Sequence, residues 1–304
     1  MSSNPLVRPS STGPDRLIGI GWMIVTGLLF VGVTGIVRYL GSDMHPAQAA
    51  FIRYALGLTL LAPVFLRLVR ARRQPARWGL HVVRGVVHAT GVMLWFFAMA
   101  RIPIAEVTAI GFTAPIFTTI GAALFLGEPL RARRIGAVLV GFGGTLVILR
   151  PGIEAIQPGA LAQLAAAPLF ACSFLIAKKL THTEDSTTIV AYMSIIVTLA
   201  LMPPALLAWR TPTAQELLLL FVTAALATAG HYTLMLAFKR TELTVTQPFA
   251  FLQLVWASAL GYFAFAEKPD LWTVIGGAVI VASATYIGHR ESRSRAPRAP
   301  RSPS

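Results

Sequence analysis

Five residues in one apolar stretch are the first candidates for chemistry: His81, Arg84, His88, Gly91 and Trp95 follow one another at spacings of three and four. On an α-helix that spacing lays them along a single stripe. Such a stripe cannot face lipid, because a polar or charged group in hydrocarbon costs several kcal/mol unless it is paired or hydrated. It must face a bundle interior or a wet cavity. His88, near the middle, either meets a solute or makes an interhelical hydrogen bond, and Arg84 has the same two readings. His81 is close enough to one end to snorkel to the interface. Trp95 either anchors or packs at the other end, or stacks on a solute.

Further polar residues interrupt other apolar stretches: Arg53, Thr113, His231, Gln247, Gln253 and the neighbouring Trp256. An amide inside a membrane span needs a partner, whether a helix or a ligand. Pro115 and Pro248 each remove a backbone hydrogen bond, so they either form a gate hinge or only kink their helices. Arg53 is expected to be a structural or rim residue that snorkels outward or meets a carboxylate. Glu106 opens a helix, where a carboxylate suits the dipole. Glu128 and Glu267 fall near helix ends and read as structural or rim contacts. None of the twelve acids falls at mid-membrane, so a carboxylate proton relay has no carrier there. Coupling to protons would rest on His88, His231 or Glu106.

Catalysis is not expected. No Gly-rich loop precedes a Lys-Ser or Lys-Thr pair and no His-Glu-x-x-His occurs, which leaves nucleotide hydrolysis and zinc proteolysis without a motif. No cofactor or metal is expected. Cys172 is the single cysteine, so no disulfide can form within the chain.

The elements that must position these residues follow from composition. Of 304 residues 55% are hydrophobic and only 12% charged, and a span of the hydrocarbon core needs about 20 apolar residues. Ten spans are predicted, at roughly 17–40, 47–69, 78–100, 103–126, 132–150, 158–178, 187–209, 214–238, 244–266 and 270–289. The net charge of +14 is explained by topology rather than by nucleic acid. Of the 26 Lys and Arg residues, nineteen fall in the tails and alternate loops, while Arg38, Arg101, Arg150, Arg210 and Lys268 fall on the other side. The positive-inside rule then puts both termini in the cytoplasm of a multi-pass inner (plasma) membrane protein. Residues 1–16 form a cytoplasmic tail, and 290–304, rich in Arg, Pro and Ser, a disordered one.

The spans repeat. Phe97-Ala98 and Arg101 align with Leu236-Ala237 and Arg240, and Ile135-Gly136-Ala137 with Ile275-Gly276-Gly277, at an offset of 139 and then 140. In this register His231 lies within one residue of Gly91. Five spans per half is odd, so the halves, 17–150 and 158–289, enter the membrane from opposite sides, as in many transporters. Small residues enrich the fifth and tenth spans, where Ala137 with Gly141 and Ala278 with Ala282 allow close helix approach. These spans read as scaffold in a monomer or homodimer.

Together, Arg84-Gly85, Trp95-Phe96-Phe97-Ala98, Thr113-Ala114-Pro115, Gly127-Glu128-Pro129 and Gly141-Phe142-Gly143-Gly144 resemble the drug/metabolite transporter superfamily, EamA type. The resemblance covers nearly the whole chain. It implies an all-α integral membrane fold of ten helices in two inverted five-helix repeats. It also implies secondary transport of a small metabolite across the lipid bilayer by alternating access, and by family habit amino acid export. The alternatives are an uptake carrier for a vitamin, nucleoside or other planar metabolite, and a channel. The residues expected to bind the solute are Arg84, His88, Trp95, Thr113, His231, Gln247, Gln253 and Trp256.

Overall fold

A computed structural model describes residues 13–41, 43–70, 77–114, 116–117, 120–121, 132–150, 156–181, 183–240 and 252–295. Among them every regular element is helical: α1 (Gly13–Leu40), α2 (Pro46–Leu60), α3 (Ala62–Arg70), α4 (Trp78–Met99), α5 (Ile104–Gly111), α6 (Ala132–Leu149), α7 (Pro158–Leu180), α8 (Ser186–Leu207), α9 (Ala214–Arg240), α10 (Leu252–Phe265) and α11 (Leu271–Arg295). Five stretches are long and apolar enough to cross a membrane: Leu17–Leu40, Trp78–Met99, Pro158–Ala177, Ser186–Leu207 and Ala214–Ala237. Shorter apolar helices add Leu139–Leu149, Leu252–Phe265 and Leu271–Ser283. Leu28, Val86, Leu139, Leu199, Val255 and Phe263 project outward, as expected where lipid is the solvent. The chain is a multi-pass membrane protein.

Local chemistry sets the helix ends, and in four places they depart from the expected spans. The first helix already includes Gly13 to Arg16, inside the expected tail. The second expected span is split at Leu61, because Pro63 supplies no amide to continue the ladder. The fourth is interrupted after Gly111: Phe112 and Thr113 leave the helix as turn residues, just before Pro115 in the sequence. The last helix includes residues up to Arg295, inside the expected disordered tail. Asp185 caps α8, accepting from the Thr188 amide at 2.9 Å and the Thr188 hydroxyl at 2.8 Å.

Packing relates the halves in pairs. The first helix lies along α9 as α4 lies along α7; α1 meets α10 as α7 meets α5; and α4 meets α8 as α9 meets α2. The contacts α2 with α8, α5 with α10 and α6 with α11 are their own counterparts. A two-fold relation between residues 13–149 and 158–295 generates this set.

In lipid the hydrophobic effect does not pull helices together, so close packing must. The α6–α11 crossing shows how close: a Cβ on Gly276 would lie 2.5 Å from the Gly144 carbonyl oxygen, and one on Gly144 2.8 Å from that of Gly276. No side chain fits at either position. Ala278 and Ala282, one of the two small-residue steps noted above, face outward instead.

Candidate functional site

His88 and His231 meet at the centre of the bundle. One comes from α4 and the other from α9, and their rings stand 5.5 Å apart, 69° from parallel. His88 Nδ1 shares a hydrogen bond of 3.1 Å with the buried Ser173 hydroxyl on α7. Its Nε2 is buried with no partner. Aromatic rings close around the pair: Phe170 lies 5.3 Å from His88, Tyr54 6.4 Å from His88, and Phe30 5.2 Å from His231.

Glycines let these rings in. A Cβ on Gly91 would touch the Phe170 ring at 3.2 Å, and one on Gly230 the Phe30 ring at 3.2 Å. The two contacts are counterparts, since Gly230 lies 139 residues after Gly91 and Phe170 lies 140 after Phe30. The glycine of the polar stripe is therefore a packing device. Thr26 on α1 and Thr233 on α9 add a buried hydrogen bond of 2.8 Å beside the Phe30 contact.

Both arginines turn inward. Arg84 is 2% exposed, and its Nη1 donates to the Ile189 carbonyl at 3.1 Å. Arg53 is buried with its guanidinium 3.7 Å from the centre of the Tyr54 ring, a cation–π contact. The expected snorkel and the expected carboxylate are both absent for Arg53 among the described residues. Tyr54 and the bundle interior give its charge a partner closer than the interface. Both arginine charges act on Tyr54, His88 and His231, so the five residues form one electrostatic cluster.

His81 also departs from expectation. It is fully buried, and its Nε2 meets a Glu184 carboxylate oxygen at 2.7 Å, with the Tyr192 ring 5.1 Å away. Glu184 lies in the short connection between α7 and α8, from which its side chain reaches the first turn of α4. Spacing gives no sign of it, because the two residues are 103 apart in the chain.

Five more of the expected residues make contacts of their own. Trp95 sits edge-on to Phe96, 5.3 Å away. Thr113 is buried and donates back to the Ile110 carbonyl at 2.7 Å, closing the turn that ends α5. Trp256 and Gln253 lie against Gly27 on α1, at 3.0 and 3.9 Å from its notional Cβ, about one turn before Phe30. Glu106 is half-buried in the first turn of α5. Gln247, Pro248, Pro115 and Glu128 lie outside the described residues.

Glu267 occupies a joint at one end of the bundle. Its Oε1 pairs with Arg38 at 2.6 Å and its Oε2 accepts from the first amide of α5, Ile104 N, at 2.8 Å. Arg38 also donates to the last carbonyl of α4, at Met99, at 2.9 Å. One carboxylate thus ties the ends of α1 and α5 to the segment after α10, and Arg38 extends the joint to the end of α4. Nearby, Arg150 pairs with Asp270 at 3.0 Å. Arg210 pairs with Glu216 and donates to the Asp43 carbonyl at 2.8 Å. Among the described residues no three His, Cys, Asp or Glu side chains gather as a metal site.

A paired-helix membrane bundle with an aromatic and basic centre is the build of a small-molecule carrier, and comparison with known proteins agrees. Residues 17–150 and 157–288 each match the EamA-like transporter family, and the chain belongs to it. It is 30% identical over 277 residues to the S-adenosylmethionine uptake transporter of Rickettsia bellii, covering 91% of this chain and 95% of that one. It is 31% identical to the riboflavin transporter of Rhizobium johnstonii, covering 92% and 94%. The pseudopaline exporter of Pseudomonas aeruginosa is 26% identical over 87% of this chain and 94% of its own. A crystal structure of a protein with 18% identity superposes with a TM-score of 0.62 over 94% of this chain and all of the other, which shows the shared fold. The relatives are transporters of the drug/metabolite type. Their names lend no support to amino acid export.

Proposed function

We propose that the protein is a ten-span secondary carrier of the inner (plasma) membrane, both termini cytoplasmic, which takes up a planar, ring-bearing metabolite by alternating access. The observation that carries this is the meeting of His88 and His231 from opposite halves, 5.5 Å apart among Phe30, Tyr54 and Phe170. A flat solute suits edge-on rings, and a site between two related halves can open to either side in turn. The uptake and transport named for the S-adenosylmethionine and riboflavin relatives support this class of solute. Export is the second reading, supported by the pseudopaline relative.

Within this reading Arg84, His88 and His231 face the solute, while Thr113, Trp95, Gln253 and Trp256 support the helices that carry the site. Proteoliposomes holding the purified protein should take up radiolabelled S-adenosylmethionine or riboflavin saturably and show counterflow. His88→Ala and His231→Ala should each lower the apparent affinity about tenfold, the loss of one good contact. If neither compound moves in either direction, with or without a pH gradient, the reading fails. Conductance far above carrier turnover would make the protein a channel.

A further inference from the structure

The cluster at the bundle centre is short of acceptors. Arg53 Nε, Arg84 Nε, Tyr54 Oη and His88 Nε2 are all buried without a hydrogen-bond partner. The arginine nitrogens only donate, the tyrosine hydroxyl carries a proton to give, and Nε2 donates whenever Nδ1 accepts from Ser173. Against these, among the described residues, stand the Ile189 carbonyl and the face of the Tyr54 ring.

Charge points the same way. Two guanidinium groups inside a bundle are costly without a counter-charge. Among the described residues no carboxylate lies within ion-pair distance of either; the acids that form pairs are Glu184 with His81, and Glu267, Asp270 and Glu216 with arginines at helix ends. Both cations come from the first half of the chain. With the offset of 139, the position matching Arg84 is the buried Thr223 and that matching His88 is the buried Ala227. The second half supplies neither a third cation nor an acid there.

We propose that Arg53 and Arg84 form an anion-binding subsite beside the histidine pair, so that the transported solute carries an anionic oxygen group as well as its planar ring. This rests on the reading of the centre as the solute site. The ring lies among His88, His231 and the aromatic side chains, while the anion takes the unmatched N–H groups of the arginines and the Tyr54 hydroxyl. A planar guanidinium fork suits carboxylate and phosphate alike. The subsite is a specificity device: a ring without the anion leaves the arginines unmatched, and such an analogue is rejected strongly.

The test compares probes that share a ring and differ in the anion. Binding to the purified full-length protein in detergent is measured for adenosine-5′-carboxylate against adenosine-5′-carboxamide, and for flavin mononucleotide against riboflavin. We expect the anionic member of at least one pair to bind about ten times tighter or better, and the pair that shows it names carboxylate or phosphate. Arg84→Gln and Arg53→Gln should reduce that member to the affinity of its neutral neighbour, and Arg84→Lys should keep part of the difference. Because a buried arginine variant can fail to fold, the comparison in the unaltered protein is decisive by itself. Equal affinities within both pairs overturn the anion subsite and leave the planar-solute reading standing. Binding by none of the four overturns both.

Discussion

The two halves frame the bundle centre alike and furnish it differently. Gly91 admits the Phe170 ring just as Gly230 admits that of Phe30, at the same 3.2 Å. Arg53, Arg84 and His88 nevertheless all come from the first half, and His231 alone from the second. His231 is not even the counterpart of His88; with the offset of 139 it matches Val92, one turn further along. The packing of the two halves is thus symmetric, while the ionisable side chains between them are one-sided. Under the proposed function, such a site changes which way it opens without changing what it holds.

The symmetric part can be broken at its tightest point. Gly276→Val puts methyl groups into the 2.5 Å gap before the Gly144 carbonyl. It should destabilise the protein by about 3 kcal/mol or more, read as a large fall in thermal unfolding temperature in detergent. A result within error of the parent would show that α6 and α11 part more easily than their crossing implies.

A finer comparison sets Gly91→Ala beside Gly230→Ala. Each new methyl presses an aromatic ring at 3.2 Å, and each should cost about 1 kcal/mol, within about 0.5 kcal/mol of the other. A cost at one site only would mean that the likeness of the halves ends with the backbone. The smallest effect concerns the approach to Glu267. Ala266 has a positive φ of 53°, a region that strains residues bearing a Cβ, and in the first half the residue before the matching glutamate is Gly127. Ala266→Gly should stabilise by about 0.5 kcal/mol, the relief of strain less the added chain entropy. A loss of stability would refute the match.

The polar stripe on α4 is legible in the sequence because helical periodicity shows on any apolar background. What each member does is not. Spacing alone sends His81 to the interface, because its partner, Glu184, sits in a remote loop. It sends Arg53 outward, because folding back over Tyr54 depends on tertiary packing. Ser173, Phe30 and Phe170 carry no signal at all, since serine and phenylalanine are ordinary in membrane helices. Trp95, on the same stripe by spacing, meets the ring of its own neighbour Phe96. The break at Leu61 is readable in principle from Pro63, whose missing amide removes a bond of the ladder, although α7 runs on through Pro168 and α8 through Pro203 and Pro204.

Glu267 holds two helix ends with its two oxygens and reaches a third through Arg38, and under the proposed alternating access some of these contacts must release to open that side. The strength of this joint then fixes how the resting population divides between the two openings. Every 1.4 kcal/mol gained or lost there changes that division about tenfold. Glu267 touches none of the central cluster, yet substituting it would alter the fraction of molecules waiting for solute on each side and leave the intrinsic affinity of the site untouched.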